Sequence, residues 1–113
     1  KKNEKFLSDQ SRIKLDIDSK HIQLIKNGLR KVVESGTGVA INTGVTNLPP
    51  VSGKTGTAED WKTGLDHAWF VCFTPSEKSE LLVVAFAQNT PGGGSVHALP
   101  MAKKIIKVWN KNY

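Results

Sequence analysis

Val51-Ser52-Gly53-Lys54-Thr55-Gly56-Thr57-Ala58 reads as a strand of almost wholly small residues, and two apolar runs follow it, Ala68–Phe73 and Leu81–Ala87. Each run is long enough for a strand and too short for a helix, and both are rich in β-branched and aromatic residues. Thr74-Pro75-Ser76-Glu77 begins the connection between them. Three antiparallel strands are therefore expected. The last two are apolar on successive positions, which implies cover on both sides of the sheet.

Outward from the strands lie two helical patterns. Ile22, Ile25, Leu29, Val32 and Val33 recur at steps of three and four, so one face is apolar while Lys26, Arg30 and Lys31 face water. Asp18 or Ser19 can cap this helix, and Gly36 and Gly38 end it by taking the left-handed conformation. The second helix runs from Val96 to about Trp109, capped by Ser95 after the loop Gly92-Gly93-Gly94, with Leu99, Ala102, Ile105, Ile106 and Trp109 inward. Ile13, Leu15 and Ile17 alternate with charged residues, the period of a short strand or extended segment. Residues 1–11 are a ragged lead-in and 37–50 a loop. The class is α+β, with two helices placed to cover the two faces and further support expected from parts not in the chain.

The bulk numbers set the frame. With 113 residues the chain can build one core but not two comfortable domains. It is 38% hydrophobic and 23% charged, ordinary for a globular piece, and no apolar run is long enough to span a membrane. It opens with Lys1 and has no charged-then-apolar leader, so it is expected to be part of a longer protein, with any anchor or export signal outside it. The net charge is +6, and Lys103, Lys104, Lys107 and Lys111 have the spacing of one solvated helix face. No aromatic-basic interleaving supports nucleic acid as a partner. Cys72 is the only cysteine, so an internal disulfide is excluded and the residue reads as a small buried hydrophobe.

Gly53-Lys54-Thr55 superficially resembles the end of a phosphate-binding loop. That motif needs a glycine where Leu48 stands, and a helix where Thr55-Gly56-Thr57 follows. The nucleotide reading fails. A strand bare of bulk suits another use: Gly53 and Gly56 let a second backbone approach closely, and an extended peptide can dock by strand addition. A cation at Lys54 beside the hydroxyls of Thr55 and Thr57 would hold a carboxylate, and a strand N–H could stabilise an oxyanion. Strict alternation puts Lys54 with Gly56 on one face and Thr55 with Thr57 on the other, so geometry alone leaves open whether both sets serve one site.

The stretch Gly53-Lys54-Thr55-Gly56-Thr57-Ala58-Glu59 resembles the third active-site motif of the penicillin-binding proteins. Asp66-His67-Ala68-Trp69-Phe70-Val71, Phe73-Thr74-Pro75, Val83-Val84-Ala85-Phe86-Ala87-Gln88-Asn89, the glycine loop and Ala98-Leu99-Pro100-Met101-Ala102 continue the likeness in order, and it is similar to the elongation-type class B members, the penicillin-binding protein 2 group. The resemblance spans roughly residues 20–110. It implies the C-terminal part of a D,D-transpeptidase domain that crosslinks peptidoglycan stem peptides at D-Ala-D-Ala, with an extracytoplasmic location. Lys54 and Thr57 would be catalytic, Thr57 through its backbone N–H in the oxyanion hole. Ser52, Gly53, Thr55, Gly56, Thr57, Ala58 and Glu59 would line the substrate or β-lactam. No metal or organic cofactor is implied. The implied partners are the stem peptide, β-lactams, the missing N-terminal half of the domain and cell-wall elongation proteins.

Two parts of the family pattern are missing from this sequence. It has no Ser-x-Asn, and its one Ser-x-x-Lys, Ser11-Arg12-Ile13-Lys14, lies in an extended charged segment too near Lys54. We read that match as coincidence, so the chain alone should be inactive. The rival classes are a serine β-lactamase fragment, which shares the Lys-Thr-Gly strand, and a non-catalytic scaffold that keeps the fold. His67 could line the cleft mouth or sit solvated at a strand start. Trp61 could cover part of the cleft, and Glu59 and Asp60 lie on a turn. His21 and His97 lack metal-ligand spacing.

Overall fold

The structure is a computed structural model that describes residues 13–44 and 46–112. Its order is α1 (Ser19–Ser35), a single 3-10 turn (Val39–Ile41), β1 (Ser52–Asp60), β2 (Leu65–Thr74), β3 (Leu81–Thr90) and α2 (Ala98–Asn112). The strands form one antiparallel sheet in the order β1-β2-β3, so β1 and β3 are both edges. The expected lead-in and Ser11-Arg12 fall outside the described residues. Residues 13–17 form no strand; Ile13, Leu15 and Ile17 are all exposed, because no strand among the described residues pairs with them.

Register follows from the alternation. Phe70 pairs with Thr55 on one side and Ala85 on the other, while Trp69 pairs with Gly56 and Phe86. Ala68, Phe70, Cys72, Val83 and Ala85 therefore share a face, and all are buried. Both helices add to the core on that face: Val33 from α1, and Ala98, Leu99, Ala102 and Ile106 from α2, join Ile41 and Val51 in one cluster. The expected cover on both faces is not what the described residues show. Trp69, Val71, Leu82, Val84 and Phe86 lie on the opposite face and remain 39–66% exposed.

Four local expectations change for physical reasons. Asp18 caps α1 by accepting from the Lys20 N–H at 3.0 Å, as the sequence suggests. The helix stops at Gly36, but with φ −108° and ψ −156° this glycine is extended rather than left-handed. Its role is spatial, since a Cβ there would stand 2.9 Å from the Val32 carbonyl oxygen. Arg30 does not simply face water: it donates to the Val51 carbonyl at 2.7 Å and pairs with Glu34 at 3.0 Å, tying α1 to the start of β1. Ile105 is 48% exposed rather than inward, because it overhangs the free edge of β3 beside Leu81 and Val108. Finally, α2 begins at Ala98, two residues later than expected, with Leu99 N–H donating to the Gly94 carbonyl at 2.8 Å.

Candidate functional site

The first strand holds the candidate residues, and its character changes along its length. Ser52 and Gly53 are buried. The Ser52 hydroxyl donates to Ser76 at 3.0 Å, and a Cβ at Gly53 would come within 2.7 Å of the Val71 carbonyl oxygen. These two positions are fixed by packing and turn no group toward solvent. Lys54, Thr57, Ala58 and Glu59 are exposed, and Thr55 and Gly56 are half-buried. The exposed stretch begins at the lysine.

The two-face question left by the sequence is answered by register. Thr55 and Thr57 oppose Phe70 and Ala68 and so share the helix-covered face, whereas Lys54, Gly56 and Ala58 oppose Val71, Trp69 and His67 on the open face. Because β1 is an edge strand, one side of its backbone is unpaired by any strand among the described residues. The Lys54 ammonium curls around that edge and donates to the Thr55 carbonyl at 2.8 Å. Among the described residues no carboxylate pairs with Lys54, so its positive charge is uncompensated by a neighbour.

Two other segments press on the strand, and sequence reasoning did not single them out for this place. The hydroxyl of Thr37, in the turn after α1, lies 2.7 Å from that of Thr55. The glycine loop crosses at Thr57: a Cβ at Gly93 would overlap the Thr57 hydroxyl, and one at Gly94 would fall on the Trp69 carbonyl and 2.8 Å from that of Gly56. Only glycine permits backbone to pass so close. A Thr between two glycines, Gly36-Thr37-Gly38, was a visible signal, but its partner 18 residues away was not.

The far end of the strand is a tight turn. Gly64, at φ 69°, closes it by donating to the Asp60 carbonyl at 2.9 Å. The Lys62 backbone N–H, with help from the Thr63 hydroxyl, holds the Asp60 carboxyl below its ordinary range. Trp61 is 85% exposed, with the Lys62 ammonium 5.5 Å from its ring. His67 accepts from the Asn89 N–H through Nδ1 at 3.2 Å and meets Phe86 edge-on at 5.7 Å. Trp69 lies on Phe86 with centroids 4.4 Å apart, forming an aromatic shelf beside side-chain-free Gly56. Among the described residues no three metal-ligating side chains cluster, and no serine hydroxyl bonds a lysine amine or an imidazole.

Known proteins share this arrangement of helices and strands. A family profile described as the penicillin binding protein transpeptidase domain matches residues 4–107. Peptidoglycan D,D-transpeptidase MrdA of Haemophilus influenzae is 34% identical over 95 residues, covering 72% of this chain and 14% of that protein. Penicillin-binding protein 3 of Bacillus subtilis is 41% identical over 86 residues, 71% of this chain and 13% of the relative. Among solved structures, Pseudomonas aeruginosa PBP2 in complex with WCK 5153 matches with a TM-score of 0.68 at 31% identity, over 86% of this chain and 21% of that one. The D,D-transpeptidase domain of an Eggerthella lenta peptidoglycan glycosyltransferase shares the fold, with a TM-score of 0.70 at 23% identity over 94% and 24% of the two chains.

The chain belongs to the penicillin-binding protein transpeptidase family. It spans about one seventh of the length of the relatives it matches.

Proposed function

We propose that this chain is the C-terminal part of a peptidoglycan D,D-transpeptidase of the elongation type, and that it supplies the binding wall of the active site rather than the nucleophile. The observation that carries this is the free edge of β1, which bears the Lys54 ammonium on the Thr55 carbonyl and, among the described residues, no carboxylate paired with it. Such an edge accepts an extended stem peptide ending in D-Ala-D-Ala as an added strand. Thr55 and Lys54 hold its terminal carboxylate, as they would that of a β-lactam. The amides of residues two apart in a strand point the same way, so the Thr57 N–H projects from the side on which the Thr55 carbonyl takes the Lys54 ammonium. That N–H stabilises the developing oxyanion. Gly56 keeps the approach clear, and Ala58 and Glu59 extend the wall. The serine that is acylated, and the lysine that activates it, come from the upstream half of the domain.

The same upstream half covers the bare apolar face of the sheet, since Trp69, Val71, Val84 and Phe86 offer a continuous surface of the kind that soluble proteins bury. The complete protein works outside the cytoplasm, where its substrate lies, in company with other proteins of wall elongation. No helix among the described residues is long and apolar enough to cross a membrane, and an anchor in the upstream part would hold the complete protein at its substrate.

Fluorescent penicillin tests this. The full-length protein should be labelled covalently, the Lys54→Ala variant about a hundredfold more slowly, and the 113-residue chain not at all. Label on the isolated chain would restore Ser11 as a nucleophile. Rapid release of hydrolysed penicillin by the full-length protein would make it a β-lactamase, and absence of any label would leave a non-catalytic scaffold.

A further inference from the structure

The turn that follows α1 is unusually tightly built for an exposed segment. The N–H groups of Gly36 and Gly38 both donate to the Val32 carbonyl, at 3.1 and 3.0 Å, and Val39 N–H donates to the Gly36 carbonyl at 3.2 Å. A Cβ at Gly36 or Gly38 would stand 2.9 or 3.2 Å from the Val32 carbonyl oxygen, so the loop lies flat on the end of the helix. What this arrangement presents is Thr37. Its side chain is exposed and belongs to no part of the core, yet its hydroxyl oxygen is 2.7 Å from that of Thr55.

A hydroxyl has one proton to give and two lone pairs to receive. With two threonines face to face, either can donate. An anion at the strand edge removes that freedom, because a carboxylate only accepts. Thr55 must then give its proton to the anion, and its oxygen is left to accept from Thr37. We propose that Thr37 is a positioning residue for the carboxylate-binding hydroxyl of Thr55: it donates to Thr55 Oγ1 and thereby turns the Thr55 proton outward, toward the substrate carboxylate. The pair acts as a two-hydroxyl relay in which each bond polarises the next. This rests on the assignment of Thr55 to the carboxylate made above.

The experiment uses the full-length protein and two β-lactams that differ in one group, one with its free carboxylate and one with that carboxylate methyl-esterified. Thr37→Val keeps the shape and removes the proton. Its acylation rate with the free carboxylate should fall about fivefold. Its rate with the ester should fall less, since an uncharged ester accepts the weaker hydrogen bond, its melting temperature should be unchanged, and Thr37→Ser should restore the rate to within about twofold. Thr37→Val in a Thr55→Val background should add no further loss, since the relay is already broken. Equal losses on both probes, or a lowered melting temperature, would make Thr37 merely structural. Wild-type rates for Thr37→Val, with Thr55→Val impaired, would overturn the relay alone. If the wild-type protein is not acylated at all, the transpeptidase reading falls and the relay with it.

Discussion

The two faces of the sheet are made of similar residues and have opposite fates. Phe70, Cys72, Val83 and Ala85 are sealed beneath two helices, while Trp69, Val71, Val84 and Phe86, one residue away in each case, stand open. Hydrophobicity alone does not say which face is the core of this chain. The difference is made by the helices: α1 is tied to the start of β1 by Arg30, and α2 to the 3-10 turn and the residue pair after it by Lys103, whose ammonium reaches the Ala40 and Thr43 carbonyls. Both helices pack on the same side. The open face teaches that a sheet can be apolar on both faces while its own helices cover only one, and the upstream half proposed above would supply the second layer here.

The largest expected effect that tests the contrast is Phe70→Ala, which should lower the stability of the 113-residue chain by about 3–5 kcal/mol in urea unfolding. Trp69→Ala should cost less than half as much in the same chain. In the full-length protein the two should become comparable, and a persistent gap would mean that nothing covers the second face. Gly94→Ala comes next: its methyl group would land on the backbone of Trp69 and Gly56, which cannot yield cheaply, and about 1–3 kcal/mol should be lost.

Smaller effects sharpen the picture. Arg30→Ala removes a charged donor from the Val51 carbonyl, but the side chain is 31% exposed, so about 1 kcal/mol is expected by denaturant titration. Cys72 is fully buried, and burial raises its thiol from 9.0 to about 12. Its contribution is intact below pH 9 and is lost as pH rises toward 12, because only the unfolded chain ionises in that window. Relative to Cys72→Ala, the native chain should lose about 1 kcal/mol between pH 9 and 10. The smallest effect belongs to the open face: Val84→Lys should shift the stability of the isolated chain by under about 0.5 kcal/mol while reducing its binding of a hydrophobic dye. A severe loss in that variant would show the face to be packed after all.

Much of this was legible in advance, and the particular residues explain why. The two apolar runs specify strands because no helix is so short and so β-branched, and Asp18 marks a helix start because its carboxylate satisfies a first-turn N–H. The run from Gly53 to Glu59 carries the family likeness in its own order. Ile105 was misread because helical period places it beside Ile106, and only the free edge of β3 leaves it uncovered. Arg30 looked solvated because its partner, the Val51 carbonyl, is invisible to any pattern of side chains.

The amino-acid order alone therefore determined the elements, the family and the strand that bears Lys54, since these depend on local period and on near neighbours along the chain. It could not decide which sheet face is covered, that Ser52 and Gly53 are sealed away while Lys54 emerges at an edge, or that Thr37 meets Thr55. Those facts depend on contacts between residues far apart in sequence, and such contacts exist only once the layers have packed.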